Sequence, residues 1–304
     1  MDSISFIIPV FNALATLEET VRSIYKGNFH EGDEVIIVDD ASTDSSKELA
    51  FKLQKELPGI TVICHRINKG SAAAGRNTGI DAAKNELIYC LDADNILLPS
   101  TVPDLKKFLI SSGADCVHFG EIHMFEGNTE NIIRKLNLAD TIDLMLAINR
   151  PDLSPCSYGN YLYRKDSWKK AGRYNESLGG AYDSFAFGIS QLGTGTIMKT
   201  LPGTAYLHRA GYDSTYMREY RKRPISLLYL QILIPFIDQI HPEDVEFIMG
   251  EGRMYWAEQL GARPLRNNTT GAKTEFNFAM LPEPPVGELF RILIRKVKRK
   301  LGMK

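Results

Sequence analysis

Two carboxylates stand one residue apart in the stretch Y-C-L-D-A-D-N-I-L-L, at Asp92 and Asp94. They follow an apolar run, Leu87 to Leu91, whose lack of polar alternation predicts a strand buried on both faces. Acids at the carboxyl end of a central strand lie where open α/β sheets bind their ligands. A D-x-D pair in that place suits a hard divalent cation, which takes oxygen ligands and often shares them with phosphate groups. Taken by itself, the same triplet also reads as an Asx-rich turn with solvated acids. Two further polar clusters end apolar runs in the same way. Pro9 to Asn12 follows the first run, and Asp39-Asp40-Ala41-Ser42-Thr43-Asp44 follows Glu34 to Val38.

Elements that bring such clusters together are legible around them. Ser3 to Val10 reads as a strand that Pro9 closes, because proline cannot donate to a central ladder. Asn12 to Lys26 carries Leu14, Leu17, Val21 and Ile24 at helical spacing. A helix over Ser45 to Leu57 is capped by Thr43 or Asp44 and stopped by Pro58-Gly59. Ile60 to Cys64 is a strand, Asn68-Lys69-Gly70 a turn, and the Ala-rich Ser71 to Lys84 a helix. This β-α-β-α-β-α-β order predicts a mostly parallel sheet flanked by helices. In such a sheet the three polar clusters converge on one edge.

Beyond Pro99 the pattern predicts a helix over Val102 to Ile110 and a strand over Asp115 to Phe119. Glu121 to Asp152 is less regular, with a helix at Ala139 to Ile148. Ser157 to Tyr163 reads as a strand, and Lys165 to Gly172 as a short helix closed by glycine. Gly179-Gly180-Ala181-Tyr182-Asp183 opens another helix. Thr196 to Thr200 and Thr204 to His208 read as short strands. Pro224 to Gln239 and Pro242 to Leu260 read as helices with proline in the first turn.

A length of 304 residues accommodates one large α/β domain with additions. With a net charge of −1 there is no global field to attract nucleic acid. Cys64, Cys90, Cys116 and Cys156 are widely spaced, so a reduced, cytoplasmic chain without structural zinc is expected. The chain opens directly on a strand, without a signal peptide pattern. No apolar stretch reaches the ~18 residues of a membrane span.

Four segments in order, S-F-I-I-P-V-F-N-A, I-I-V-D-D-A-S-T-D, N-K-G-S-A-A-A-G-R-N-T-G and L-D-A-D-N, resemble family 2 glycosyltransferases of the GT-A fold. W-K-K-A-G-R-Y-N-E-S-L followed by Tyr182-Asp183 resembles that family's acceptor-side segment. The resemblance implies a Rossmann-like nucleotide-binding half over residues 1–99 and an acceptor half over 100–215. A helical extension over 216–281 follows, then a Pro-rich break and basic helix over 282–304. It also implies site roles. Pro9, Phe11 and Asn12 would cradle the nucleotide base, and Asp39 and Asp40 would bind base and ribose. Lys69 and Arg76 would lie near the diphosphate, where a guanidinium suits phosphate geometry. Asp92, Ala93 and Asp94 would form the D-x-D, with Asp92, Asp94 and His208 as ligands of Mn²⁺ or Mg²⁺. Asp183 would be the base that takes the acceptor's proton. The implied reaction is an inverting transfer of one sugar, from a UDP-sugar, to a glycan or lipid-linked acceptor in cell-surface polysaccharide synthesis. Tyr182 stands where the family usually has a glutamate, and Glu176 is an alternative base.

Residues 288–304 place Phe290, Leu293, Ile294, Val297 and Leu301 on one helical face, and Arg291, Arg295, Lys298 and Arg299 largely on the other. That pattern suits either an anionic membrane surface, making the protein peripheral, or packing on the catalytic domain. Two other functions fit parts of the sequence. One is a non-catalytic sugar-nucleotide-binding scaffold, which the residue at Tyr182 favours. The other is a D-x-D phosphohydrolase, against which stand Ile96 and the motif's place after the fourth strand.

Overall fold

In the computed structural model, which describes residues 3–178, 182–210 and 225–271, the apolar runs form the centre of one sheet. Strands β1 (Ile4–Val10), β2 (Glu34–Asp39), β3 (Ile60–Cys64) and β4 (Leu87–Cys90) lie parallel in the order β3-β2-β1-β4. Their connections are helices α1 (Leu17–Ile24), α2 (Ser46–Glu56) and α3 (Ala72–Ala82). This is the α/β, mostly parallel arrangement that the sequence predicts. The alternation of a strand's side chains gives the sheet two apolar faces. Ile4, Phe6, Ile8 and Val10 of β1 share one core with Leu17, Val21 and Ile24 of α1 and with Ala50 and Leu53 of α2. The three α1 residues are fully buried, each worth about 1.5–3 kcal/mol over exposure. α3 covers the opposite face, and it approaches so closely that two of its residues must be glycine. A Cβ on Gly79 would stand 2.5 Å from Ile7 Cγ2, and one on Gly75 2.9 Å from Pro9 Cβ.

Pro9 does not close β1 as expected; it pairs with Val38 inside the strand. The ladder to β4 ends at Ile7 and Cys90, with the Leu91 N–H donating to the Ile7 carbonyl. The next amide on that side belongs to Pro9, so its missing N–H falls where β4 departs.

The second half extends the sheet as β4-β9-β6-β10-β5, with β9 (Leu162–Arg164) antiparallel to both neighbours, β6 (Cys116–Phe125) parallel to β10 (Met198–Arg209), and β5 (Ile96–Leu97) antiparallel to β10. Helix α4 is Val102–Ser112. Several expectations need correction here. The strand expected to end at Phe119 runs on to Phe125 and pairs with β7 (Ile132–Asn137). The helix expected from Ala139 is confined to α5 (Leu144–Asn149), because Thr141–Ile142 forms β8 against β10 and Asp143 caps the helix by accepting the Leu146 N–H. Of the strand expected over Ser157 to Tyr163, only Leu162 and Tyr163 belong to one, β9; Ser157 ends a 3₁₀ segment that begins at Pro155, and the residues between are irregular. The two short strands after Thr196 are one strand, β10, with a register shift between Leu201 and Ala205. Helix α6 is Lys165–Lys170, and α7, Asp183–Gly193, begins at the aspartate.

The chain divides into two compact units, Met1–Pro224 and Ile225–Lys304. In the second, α8 (Ile225–Leu233) leads through a 3₁₀ segment to α9 (Pro242–Met249). The long helix expected over Pro242 to Leu260 stops at Met249, where Gly250 and Gly252 follow. The buried Trp256 lies edge-on to Tyr229 at 6.0 Å. Among the described residues no helix is long and apolar enough to cross a membrane. The basic segment 288–304 and the Gly179-Gly180 pair lie outside the described residues.

Candidate active site

Because β1, β2 and β4 are parallel neighbours, their carboxyl ends deliver three polar clusters to one edge. Of the five non-glycine residues in left-handed backbone among the described residues, Asn12 (φ 53°), Ala41 (φ 56°) and Tyr182 (φ 66°) flank the site's segments. Such conformations cost of order 1–3 kcal/mol and persist where surrounding contacts hold them.

At the β1 end, Phe11 projects with 46% of its surface exposed. Asn12, although exposed, reaches across to the second loop, where its Oδ1 accepts from the Thr43 N–H (2.8 Å) and the Asp44 N–H (3.3 Å). The Ala13 N–H donates to Ser46 Oγ at 2.8 Å, so the first two loops are stitched together. The N-cap position of α2 is Ser45, not Thr43 or Asp44 as expected; Asp44, one residue earlier, accepts from the Ser46 N–H at 3.0 Å.

Asp39 and Asp40 have different surroundings. Asp40 accepts from the Lys69 N–H on both oxygens (3.0 Å each) and from His65 Nδ1 at 2.6 Å, while His65 Nε2 meets Thr78 Oγ1 at 2.9 Å. Its carboxylate is committed to holding the 65–70 loop. Lys69 contributes a backbone N–H, and its side chain is exposed. Asp39 is 1% exposed; its Oδ2 accepts weakly from the Ser42 N–H (3.3 Å), and its Oδ1 is buried without a hydrogen bond. A carboxylate oxygen left in that state has full capacity to accept from a ligand N–H or O–H.

Arg76 projects from the first turns of α3 and is 3% exposed. Its Nη2 donates to Asp92 Oδ1 at 2.5 Å and its Nη1 to Asp183 Oδ2 at 2.8 Å, with the guanidinium 5.2 Å above the Tyr174 ring. Burial alone would lower the guanidinium's pKa, but Asp92 and Asp183 outweigh it and raise it well above the ordinary value. Asp183, the first residue of α7, also has a raised pKa, here by burial; Arg76 opposes the rise and Asp92 adds to it. The Ser184 N–H donates to Asp183 Oδ1 at 2.8 Å, as suits an acid at a helix N-terminus. The solvated role that a helix-surface arginine would have is excluded by this burial.

The D-x-D turn is anchored at each residue. Asn160 accepts the Asp92 N–H on Oδ1 (2.8 Å) and donates through Nδ2 to Asp92 Oδ2 (3.2 Å). Thr16 Oγ1 donates to the Ala93 carbonyl at 2.8 Å. Arg209 donates from Nε to the Asp94 carbonyl (3.1 Å) and from its N–H to Asn95 Oδ1 (3.0 Å). His208, on β10, meets the Tyr206 hydroxyl through Nδ1 at 3.2 Å; burial lowers its pKa, against the pull of Asp92.

Asp92 and Asp94 carry carboxylates and His208 an imidazole, side chains of the type that divalent cations take as ligands. Among the described residues no three His, Cys, Asp or Glu side chains group closely enough to hold an ion by themselves. A cation with few protein ligands completes its shell from phosphate oxygens.

The structure thus brings Arg76, Asp92 and Asp183 into direct contact, and gathers Phe11, Asn12 and Asp39 at the β1 and β2 ends. Glu176, the alternative base, is exposed and accepts from Asn77 Nδ2 at 2.8 Å. Sequence reasoning missed Asn160, His65 and Arg209. Asn160 had one signal, a polar residue inside the aromatic run Y-G-N-Y-L-Y; His65 and Arg209 had none.

Residues 5–172 match the profile of the family described as glycosyl transferase family 2. Among curated proteins, the chain is 35% identical over 114 residues to glycosyltransferase GlyG of Streptococcus pneumoniae, covering 38% of this chain and 37% of that protein. It is 31% identical over 119 residues to the poly(ribitol-phosphate) beta-N-acetylglucosaminyltransferase TarP of Staphylococcus aureus, covering 38% and 36%. A third relative, the GalNAc(5)-diNAcBac-PP-undecaprenol beta-1,3-glucosyltransferase of Campylobacter jejuni, is 32% identical over 107 residues, covering 35% and 34%. The matches span about a third of each of these relatives. The fold is shared with S. aureus TarS 1-349 solved in complex with UDP, at a TM-score of 0.59 and 20% identity, covering 86% of this chain and 87% of that one.

Proposed function

The chain belongs to glycosyl transferase family 2, and on that premise we propose that it transfers one sugar, with inversion, from a UDP-sugar to a hydroxyl of a cell-surface glycan or lipid-linked acceptor. Family membership sets aside the phosphohydrolase alternative. The observation that carries the reading is the double ion pair of Arg76, which joins the D-x-D acid Asp92 to Asp183 at the start of α7. One guanidinium holds the donor-side and acceptor-side acids on either side of itself.

In this reading the base stacks near Phe11, and the buried Oδ1 of Asp39 accepts a ring N–H. Asp40 shapes the loop beneath. The diphosphate lies along the Asp92–Asp94 turn, within reach of Arg76. Asp94 and His208, with Asp92, would hold Mn²⁺ or Mg²⁺, which when bound would offset the charge that develops on the leaving diphosphate. Asp183 accepts the proton of the acceptor hydroxyl as its oxygen bonds to the anomeric carbon. The bond from that carbon to the β-phosphate oxygen breaks on the opposite face, and its electron pair leaves with UDP. A carboxylate whose pKa burial has raised is a stronger base than a solvated one, which suits this task.

The acceptor class draws support from relatives whose names specify poly(ribitol-phosphate) and an undecaprenol-linked glycan. The basic amphipathic pattern of residues 288–304 is consistent with work at an anionic membrane surface. Calorimetry of UDP binding with and without Mn²⁺ tests the donor half of the proposal. Mn²⁺ should tighten binding to the unaltered chain, Asp94→Asn should abolish that tightening, and Asp39→Asn should weaken binding in either condition. Unchanged Mn²⁺ dependence in Asp94→Asn would remove the D-x-D assignment.

A further inference from the structure

The turn Tyr158-Gly159-Asn160 touches each part of the site from beneath. Asn160, 0% exposed, grips Asp92 by backbone and side chain, and its Nδ2 also donates to the Tyr158 carbonyl at 2.6 Å. The Tyr158 ring stands edge-on to His208 at 5.7 Å. Gly159, at φ 70°, passes so close to α7 that a Cβ there would lie 2.4 Å from Ser184 Oγ and 3.8 Å from Arg76 Nη2. The preceding 3₁₀ turn is fixed against the same helix, since a Cβ on Gly188 of α7 would meet Cys156 Sγ at 2.5 Å. The turn is therefore wedged between the helix that begins with Asp183 and the loop that carries Asp92.

We propose that Tyr158-Gly159-Asn160 is the spacer that sets the separation between the donor-side acid and the base, with Asn160 positioning Asp92 and Gly159 positioning the start of α7. Neither residue performs a chemical step. The Asn160 side chain holds both the backbone N–H and the Oδ2 of Asp92, which fixes the orientation of that carboxylate. That leaves its other oxygen aimed at Arg76, and through Arg76 at Asp183. Gly159 is required for both its left-handed φ and its lack of a side chain. Misplacement of a reacting group by an ångström costs rate without costing ground-state affinity. The two halves of the spacer should therefore separate in their effects. The inference rests on the donor and base roles proposed above.

The test uses the full chain, UDP with Mn²⁺ for affinity, and UDP-GlcNAc and UDP-glucose for turnover, with thermal melting to check folding. Asn160→Asp is isosteric and keeps an acceptor for the Asp92 N–H, but it replaces the donor facing Asp92 with a like charge. UDP affinity should fall about tenfold or more, as for a lost hydrogen bond to a charged group. Gly159→Ala should leave UDP affinity within about twofold and lower turnover about tenfold or more, the signature of an interaction felt only in the transition state. Ser184→Gly removes the side-chain atoms that the new methyl would strike but not the strain of its left-handed φ, so the Gly159→Ala/Ser184→Gly double variant should recover part of the turnover lost in Gly159→Ala. A folded Gly159→Ala chain that loses affinity and turnover equally, or a double variant no better than Gly159→Ala, would overturn the spacer role. If the unaltered chain neither binds UDP nor turns over either donor, the functional reading falls and the spacer role with it.

Discussion

Arg76 shows how far burial decides what a side chain does. On a solvated helix it would be one more surface charge; enclosed between Asp92 and Asp183, it is held cationic by the acids it separates. Removing one partner from such a cluster leaves uncompensated buried charge, typically a loss of 3–5 kcal/mol, so an arginine truncation would report on folding as much as on function. Asp40 and Asp39 make the same point in reverse. Adjacent in sequence, one is saturated by the 65–70 loop and the other keeps an oxygen unpaired. A residue behind the site offers a cleaner electrostatic test. His118 is fully buried among Phe119, Tyr161 and Tyr206, donates through Nδ1 to the Phe119 carbonyl at 2.7 Å, and has no partner on Nε2. Burial pushes its pKa down from 6.5 to about 4. Between those values the unfolded chain binds a proton that the folded chain refuses. The stabilisation is therefore complete above pH 6.5 and is lost as pH falls toward 4. Between pH 7.5 and pH 5.0 the loss amounts to about 2 kcal/mol. In urea unfolding, His118→Phe should lose that much less than the unaltered chain over the same interval; an identical pH response in both would contradict a buried, neutral His118.

The elements position these residues by close approach. α3 can carry Arg76 to Asp92 because Gly75 and Gly79 let its backbone sit against Pro9, Ile7 and Val38. In an isolated helix Gly→Ala gains up to about 1 kcal/mol. Here a methyl on Gly79 would press on the methyl of Ile7, in a core with no room to yield, and overpacking of that kind costs roughly 1–3 kcal/mol. Gly79→Ala should therefore destabilise the chain in thermal or urea unfolding, whereas stabilisation would mean that α3 is not pinned to the sheet. The parallel half was legible in the sequence because β1, β2 and β4 are buried on both faces and read as unbroken apolar runs ending in polar clusters. The acids at those ends were legible for the same reason. The second half was harder. β6 runs into a hairpin through partly exposed residues, and β10 carries Pro202-Gly203 in its middle, which resembles a break between two strands. The expected helix from Ala139 failed because Asp143, its true cap, lies within the segment. The roles of Asn160, His65 and Arg209 were hidden for a different reason. Each acts on a residue 25 to 115 positions away, and only the sheet order brings them together.

At the scale of the molecule, the parallel strands β3-β2-β1-β4 and the mixed strands β9-β6-β10-β5 meet along β4 and β9, and the candidate site lies on that line. Asp92 leaves β4, Asn160 precedes β9, and Asp183 opens the helix that packs on the same turn. The proposed transfer assigns separable functions to the two sets of strands: donor affinity to the first and proton removal to the second. Residues 5–172 carry the family membership, and the contacts of Arg76 with Asp92 and Asp183 tie the start of α7 to the end of β4. The most direct test compares Asp183→Asn with the unaltered chain, measuring UDP-sugar affinity by calorimetry and UDP release from UDP-GlcNAc and UDP-glucose under the same conditions. The amide keeps the shape of the carboxylate and loses its basicity. Affinity should remain nearly constant, and release should fall by the ~10²–10⁴-fold typical of a lost general base. Release that persists in Asp183→Asn, or that disappears only together with donor binding, would contradict the assignment of Asp183 as the base and the division of labour built on it.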